Sequence, residues 1–232
     1  MCAILDHTTI LSPDCTAASI LHGMEVAARL HTDRLGVGRA QMQSKYGLLW
    51  MVVRGIVRLS DAPDTAVPLT VRTWHRGVSH GVVYRDFDLL QNGKLLGEAA
   101  QIWVLVDEAK RCLYRADKCP ALLNVPQPEH IKTLCPRKLS PPPTLLQTSP
   151  ICPGTDATDD NGHINNAAYV ALALRSLPKP ITALRTLELC YQHECFAGQS
   201  LPRFVWQADG QSYVRLCTPD GTPAFELLAT EK

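Results

Sequence analysis

Thr155-Asp156-Ala157-Thr158-Asp159-Asp160-Asn161-Gly162-His163-Ile164-Asn165-Asn166-Ala167-Ala168-Tyr169-Val170 places a polar, glycine-containing turn directly ahead of an apolar run. Asn165 is a strong N-cap residue, because its side-chain oxygen can accept an N–H that the first helical turn leaves unpaired. The predicted helix therefore runs from about Asn165 to Leu177, with Asn161 and His163 in the loop just before it. A helix start presents free N–H groups and partial positive charge, so it can hold an oxygen anion. A carboxylate, an amide and an imidazole gathered there supply a base, a hydrogen-bond donor and a proton carrier. A turn that merely caps an ordinary helix accounts for the same residues. Both readings stay open on the residues alone.

Outward from this stretch, the chain falls into two halves of the same element order. Strands are predicted over about 181–195, 202–209, 211–218 and 223–230, with turns at Asp209-Gly210 and Asp220-Gly221. A short strand precedes the quoted stretch. In the first half, Ser12-Pro13-Asp14 carries helix-start chemistry. Ile20, Leu21, Met24, Ala27, Ala28 and Leu30 then recur at helical spacing as far as His31. Strand-like runs follow at 47–60, 68–77, 82–91 and 95–107, the last two joined by an Asn92-Gly93 turn. Between the halves lie Pro120, Pro126, Pro128, Pro136 and the run Pro141-Pro142-Pro143, which predict an exposed linker over 124–144. A long helix followed by an antiparallel meander, twice, is the pattern of a tandem (double) hotdog, an α+β fold in which each sheet wraps a central helix. The expected division is 1–123, linker 124–144 and 145–232.

Bulk properties narrow the function classes. A net charge of +1 gives no reason to expect nucleic acid as the main ligand. No run approaches the roughly 20 apolar residues that span a bilayer. Met1 to Asp6 has neither a basic nor a long apolar region, so no secretory signal is expected, and the cytoplasm is the default location. The nine cysteines contain no C-x-x-C pair, which reads as free thiols in a reducing compartment. His75 and His80 are isolated, and no metal is expected. Trp50, Trp74 and Trp103 sit in strand runs and read as core or pocket wall; Gly36-x-Gly38 reads as a turn. Lys132, Arg137 and Lys138 form a local positive excess, either a solvated linker or a docking surface for an acidic partner.

The pattern Asp159-x-Asn161-x-His163-x-Asn165-Asn166-x-x-Tyr169 resembles the signature of the plant and bacterial acyl-ACP thioesterases. Downstream, Leu187-Glu188-Leu189-x-Tyr191-x-x-Glu194-Cys195-x-x-Gly198-x-Ser200 resembles the family's second catalytic stretch. Four motifs of the first half follow in the family's order: Trp50-Met51-Val52-Val53-Arg54, Val71-Arg72-Thr73-Trp74-His75-Arg76-Gly77, Arg85-Asp86-Phe87 and Trp103-Val104-Leu105-Val106-Asp107. One departure stands out. Members often carry an Asp two residues before the position of Asp159, where this chain has Ala157, with Asp156 one place earlier. The role of Asp156 is left unassigned.

The resemblance implies hydrolysis of fatty acyl-ACP thioesters without any cofactor, by a monomer or homodimer whose partner is acyl carrier protein. It implies a catalytic C-terminal half using Asp159, Asn161, His163 and Glu194, and an N-terminal half that shapes the acyl pocket, with Met24 and Trp50 in its wall. Asn165 is grouped with the substrate-binding residues. Glu194 or His163 would activate water. The rival scheme makes Cys195 the nucleophile with His163 as its base. In an unbroken strand over 184–195, Glu194 and Cys195 point to opposite faces, Cys195 to the more apolar one.

Overall fold

The computed structural model describes residues 4–12, 16–127, 133–159, 162–177 and 183–232. The first half comprises β1 (Ile4–Thr9), α1 (Thr16–Arg34), α2 (Arg39–Tyr46), β2 (Leu48–Leu59), β3 (Leu69–Ser79), β4 (Val82–Gln91), β5 (Lys94–Asp107) and β6 (Cys112–Tyr114). The second comprises β7 (Leu146–Ile151), α3 (Asn166–Arg175), β8 (Leu184–Tyr191), β9 (Leu201–Ala208), β10 (Gln211–Cys217) and β11 (Pro223–Glu231). Asn92 and Gly93 both take positive φ, 50° and 73°, as do Asp209 and Gly210, at 50° and 69°. Those angles match the right-handed twist of the strands each turn joins.

All strand pairs are antiparallel, in the order β1-β3-β4-β5-β2-β8-β11-β10-β9-β7, with β6 paired to β5. Read outward from the centre, each half repeats the other: β2-β5-β4-β3-β1 on one side, β8-β11-β10-β9-β7 on the other. The halves join where β2 pairs β8, from Arg54↔Cys190 to Arg58↔Thr186. This is a double hotdog on one continuous sheet. Helix α1 buries Ile20, Leu21, Met24, Ala27 and Ala28 along one face, and α3 buries Ala167, Val170 and Ala173. Both faces enter a single core with residues of both half-sheets, so neither half closes its apolar surface alone. At Gly23 an added Cβ would stand 2.6 Å from Thr9 Cγ2, so glycine lets α1 lie close against β1.

Three sequence expectations need correction. First, the segment expected as an exposed linker is exposed at Thr133, Cys135, Lys138, Ser140, Pro141, Pro143 and Thr144 but is anchored to the protein between them. Leu134 and Leu139 are buried, Arg76 Nη2 donates to the Leu134 carbonyl, and Arg137 forms a bidentate pair with Glu188 at 2.7 and 3.0 Å. Proline has no N–H to satisfy, so such a strap can cover a sheet without joining its ladder. Pro128 and Lys132 lie outside the described residues. Second, β8 ends at Tyr191 instead of running to residue 195. Third, a helix, α2, follows the Gly36-x-Gly38 turn. Among the described residues no helix is long and apolar enough to cross a membrane.

Candidate active site

The loop ahead of α3 is closed by its own backbone. Asp159 N–H donates to the His163 carbonyl at 2.8 Å, Gly162 N–H to the Asp159 carbonyl at 3.0 Å, and His163 N–H to Asp159 Oδ1 at 3.1 Å. Gly162 supplies the positive φ, 78°, that this reversal requires. Ile164 N–H then reaches the Cys195 carbonyl at 2.8 Å, and the His163 ring meets the Phe196 ring edge-on, centroids 4.9 Å apart. His163 is thereby fixed between its own loop and the chain that follows β8. Asn165 is the N-cap expected: its Oδ1 accepts from Ala167 N–H at 2.8 Å. Asp160 and Asn161 lie outside the described residues. Asp156 is exposed in the short turn Thr155–Ala157.

Beyond β8, Gln192 and His193 both donate backbone N–H groups to one acceptor, the Ala224 carbonyl, at 2.8 and 3.2 Å. After this irregularity Glu194 and Cys195 part company. Glu194 lines the cavity, and its Oε1 lies 3.6 Å from His163 Nδ1, with side-chain exposures of 39% and 29%. That separation is long for a direct hydrogen bond but close enough for both groups to hold one water. Cys195 has no exposed surface and is absent from the cavity wall. Burial pushes its thiol above the ordinary range, against a smaller lowering by the Tyr169 hydroxyl.

The cavity encloses about 560 Å³, within the usual span of ligand pockets, and residues of both halves line it. Asp159, His163, Tyr169, Gln192 and Glu194 come from the second half; Trp50, Val83, Trp103 and Leu122 form an apolar wall from the first, extended by Val125 of the segment between the halves. Trp50 and Trp103 meet edge to face at 6.2 Å, and Trp50 Nε1 donates to the Val37 carbonyl at 2.9 Å, which fixes the ring. Two expected pocket residues are elsewhere. Met24 is fully buried in the core, and Ala28 and Thr32 of the same helix line the cavity in its place. Asn165 is occupied as a cap, and its neighbour Asn166 lines the cavity.

The sequence reading missed Gln192, whose Nε2 donates to the buried Glu226 Oε2 at 2.8 Å. Glu226 in turn accepts from Tyr213 Oη and from Arg215. Alternation along β10 and β11 could have paired these charges, but not with Gln192. No group of three or more His, Cys, Asp or Glu among the described residues is arranged to hold a metal.

Residues 14–118 match the family of acyl-ACP thioesterase N-terminal domains. The chain is 28% identical over 179 residues to a chloroplastic acyl-[acyl-carrier-protein] hydrolase of Cuphea viscosissima, covering 69% of this chain and 42% of that protein. It is 24% identical over 212 residues to the chloroplastic dodecanoyl-[acyl-carrier-protein] hydrolase of Umbellularia californica, covering 84% of this chain and 55% of that one. It spans less than half the length of the first curated relatives it matches. In fold it is similar to the crystal structure of an acyl-ACP thioesterase from Bacteroides thetaiotaomicron, with a TM-score of 0.81 at 18% identity over 99% of this chain and 98% of that one. A 12:0-ACP thioesterase from Umbellularia californica gives a TM-score of 0.79 at 21% identity over 100% of this chain and 98% of that one.

Proposed function

We propose that this chain, whose residues 14–118 match the acyl-ACP thioesterase N-terminal domain family, hydrolyses fatty acyl-ACP thioesters to free fatty acid and carrier thiol. The observation that carries the reading is the shared cavity: Asp159, His163 and Glu194 from one half face the same enclosed space as the Trp50–Trp103 wall from the other. An acyl chain lies along the first half (1–123) while its thioester meets the polar groups of the second (145–232). Glu194 and His163 hold a water, and one of them takes its proton as the oxygen attacks the carbonyl carbon. Asn161 and the N–H groups at the start of α3 stabilise the oxyanion. The C–S bond then breaks, and the thiolate leaves with little need of acid help. Asp159 positions His163 through the 3.1 Å bond to its N–H.

The buried, raised thiol of Cys195 opposes a nucleophilic role, because the thiolate is the attacking species. Acyl carrier protein is the proposed partner, and the seven described cysteines, all free, suit a reducing compartment such as the cytoplasm. The test is steady-state hydrolysis of acyl-ACPs from short to long chains, beside acyl-CoAs of matched length. Release of acid and thiol from acyl-ACP is the expected result. Faster turnover of the CoA esters would move the reading to the other carrier, and no hydrolysis of either would refute it.

A further inference from the structure

The cavity wall is not apolar throughout. His75 on β3 and Arg85 on β4 are cross-strand partners, so their side chains stand together on one face, and both line the cavity. Arg85 is 4% exposed and His75 2%. Arg85 Nη1 lies 3.0 Å from His31 Nδ1, which accepts its hydrogen, and donates to Thr73 Oγ1 at 3.1 Å. Among the described residues, the hydrogen bonds of Arg85 leave from Nη1 alone and none goes to a carboxylate, although the charge of Asp86 offsets part of the cost of its burial. The neighbouring Asp86 is engaged instead by Arg76. His75 Nε2 is buried with no partner among the described residues. Two other polar groups of this half on the cavity, Arg29 and Arg39, are exposed, whereas this guanidinium and imidazole are withdrawn from water with bonding capacity to spare, which is costly.

We infer that this pair is a subsite for an oxygen on the acyl chain: a hydroxyl, an oxo group or a terminal carboxylate that accepts from Arg85 and His75. The substrate is thus an oxygenated acyl thioester, an inference that takes its thioester chemistry from the function proposed above. The subsite is remote from the reacting carbon. Glu25 touches Asn165 at the start of α3, and His31, which touches Arg85, lies six residues further along α1, roughly 9 Å at 1.5 Å per residue. The oxygen therefore sits several carbons from the thioester, not beside it. Thr73 and His31 hold the guanidinium in place, leaving its outer edge for the ligand. Binding of this kind acts on which substrate is held, since the reacting groups belong to the other half.

The experiment compares chain-matched plain, mid-chain hydroxy, mid-chain oxo and terminal-carboxy acyl-ACPs, and titrates the corresponding free acids into the full chain by calorimetry. At least one oxygenated ester should exceed the plain ester by about tenfold or more in kcat/KM, and its acid should bind tighter by a similar factor, as a charge-assisted hydrogen bond allows. Arg85→Met and His75→Leu should bring both ratios toward one, while Arg85→Lys keeps part of them. Plain chains turned over and bound at least as well as every oxygenated one by the wild-type protein would overturn the inference and leave thioester hydrolysis standing. Tighter binding of an oxygenated acid without hydrolysis of any ester would uphold the subsite and sink the proposed reaction. The wild-type comparisons decide the matter even if a variant fails to fold.

Discussion

Asn165 Nδ2 donates to Glu25 Oε1 and Oε2 at 3.3 and 3.1 Å, joining residues 140 positions apart in the chain. The same side chain caps α3 through Oδ1. One amide thus sets the start of the helix beside the candidate site and ties it to the helix of the other half. It adds to the pairing of β2 with β8 and to the shared core of α1 and α3 in fixing one half against the other.

Asn165→Ala should therefore destabilise the protein by about 1–2 kcal/mol, the range for a lost N-cap, with the loss of the Glu25 contact on top. Asn165→Asp retains the cap but sets a second carboxylate against Glu25, so it should recover only part of the loss. Urea midpoints of the two variants and of Glu25→Gln would measure this. Equal stability of Asn165→Ala and wild type would contradict the assigned geometry.

Folding stability should fall as the pH drops below about 6.5. Burial, then the charges of Arg85 and His31, push the His75 pKa down from 6.5 to about 4. Between these values the unfolded chain binds a proton that the folded chain refuses, so stability rises with pH across that window and is fully present above it. The whole contribution amounts to about 3 kcal/mol at 1.36 kcal/mol per pKa unit. His75→Leu should flatten this part of the curve, which urea unfolding from pH 7 to pH 4 can follow. An unchanged slope in the variant would assign the acid sensitivity to other groups.

Much of the fold was legible because two periodicities carry it. The stripe of Ile20, Leu21, Met24, Ala27 and Ala28 reports a helix, and the turns Asn92-Gly93 and Asp209-Gly210 report their hairpins through the residue types that tolerate positive φ. Helix α2 was invisible because Arg39–Tyr46 buries only Met42, which leaves no apolar stripe. Proline density marked residues 124–144 as an exposed linker; residues 133–144 have no regular structure, yet Leu134, Pro136 and Leu139 are buried, because irregular backbone need not be wholly exposed. For the site, a capped helix start pointed to His163, whereas Glu194 was singled out by the resemblance alone, since a strand glutamate is ordinarily a solvated residue. Met24 was misplaced because periodicity marks a buried face without telling core from cavity wall. His75 and Arg85 met through strand register, which no local window contains.

Trp50 and Met24 should consequently respond in opposite ways to truncation. Trp50 lines the cavity, whereas Met24 packs in the core at zero exposure. Trp50→Leu should shift the chain-length profile of hydrolysis more than it lowers the rate on the best substrate. Met24→Ala should cost about 2–5 kcal/mol of stability, as buried truncations do, with little change in profile. A profile set by Met24 and indifferent to Trp50 would mean that the acyl chain runs elsewhere.

The neighbouring pair Glu194 and Cys195 separates the two mechanisms. With a carboxylate-activated water, Glu194→Ala should lose on the order of 10²–10⁴ in turnover, the scale of a general base. Cys195→Ser should keep much of its activity, since the thiol is fully buried and stands outside the cavity wall. If Cys195 were the nucleophile the ranking would reverse, and acyl-enzyme would accumulate as a burst of carrier thiol before steady state. His163→Ala should be damaging under either scheme and so cannot discriminate. Alkylation is a poor substitute, because an adduct on a thiol packed beside Tyr169 would disrupt the core whatever the chemistry. Serine differs from cysteine by a single atom and avoids that objection, though a hydroxyl at this buried position needs a partner, which the Tyr169 side chain can supply. A folded Cys195→Ser enzyme without activity, together with an acyl group trapped on residue 195 of the wild-type protein, would overturn the water mechanism.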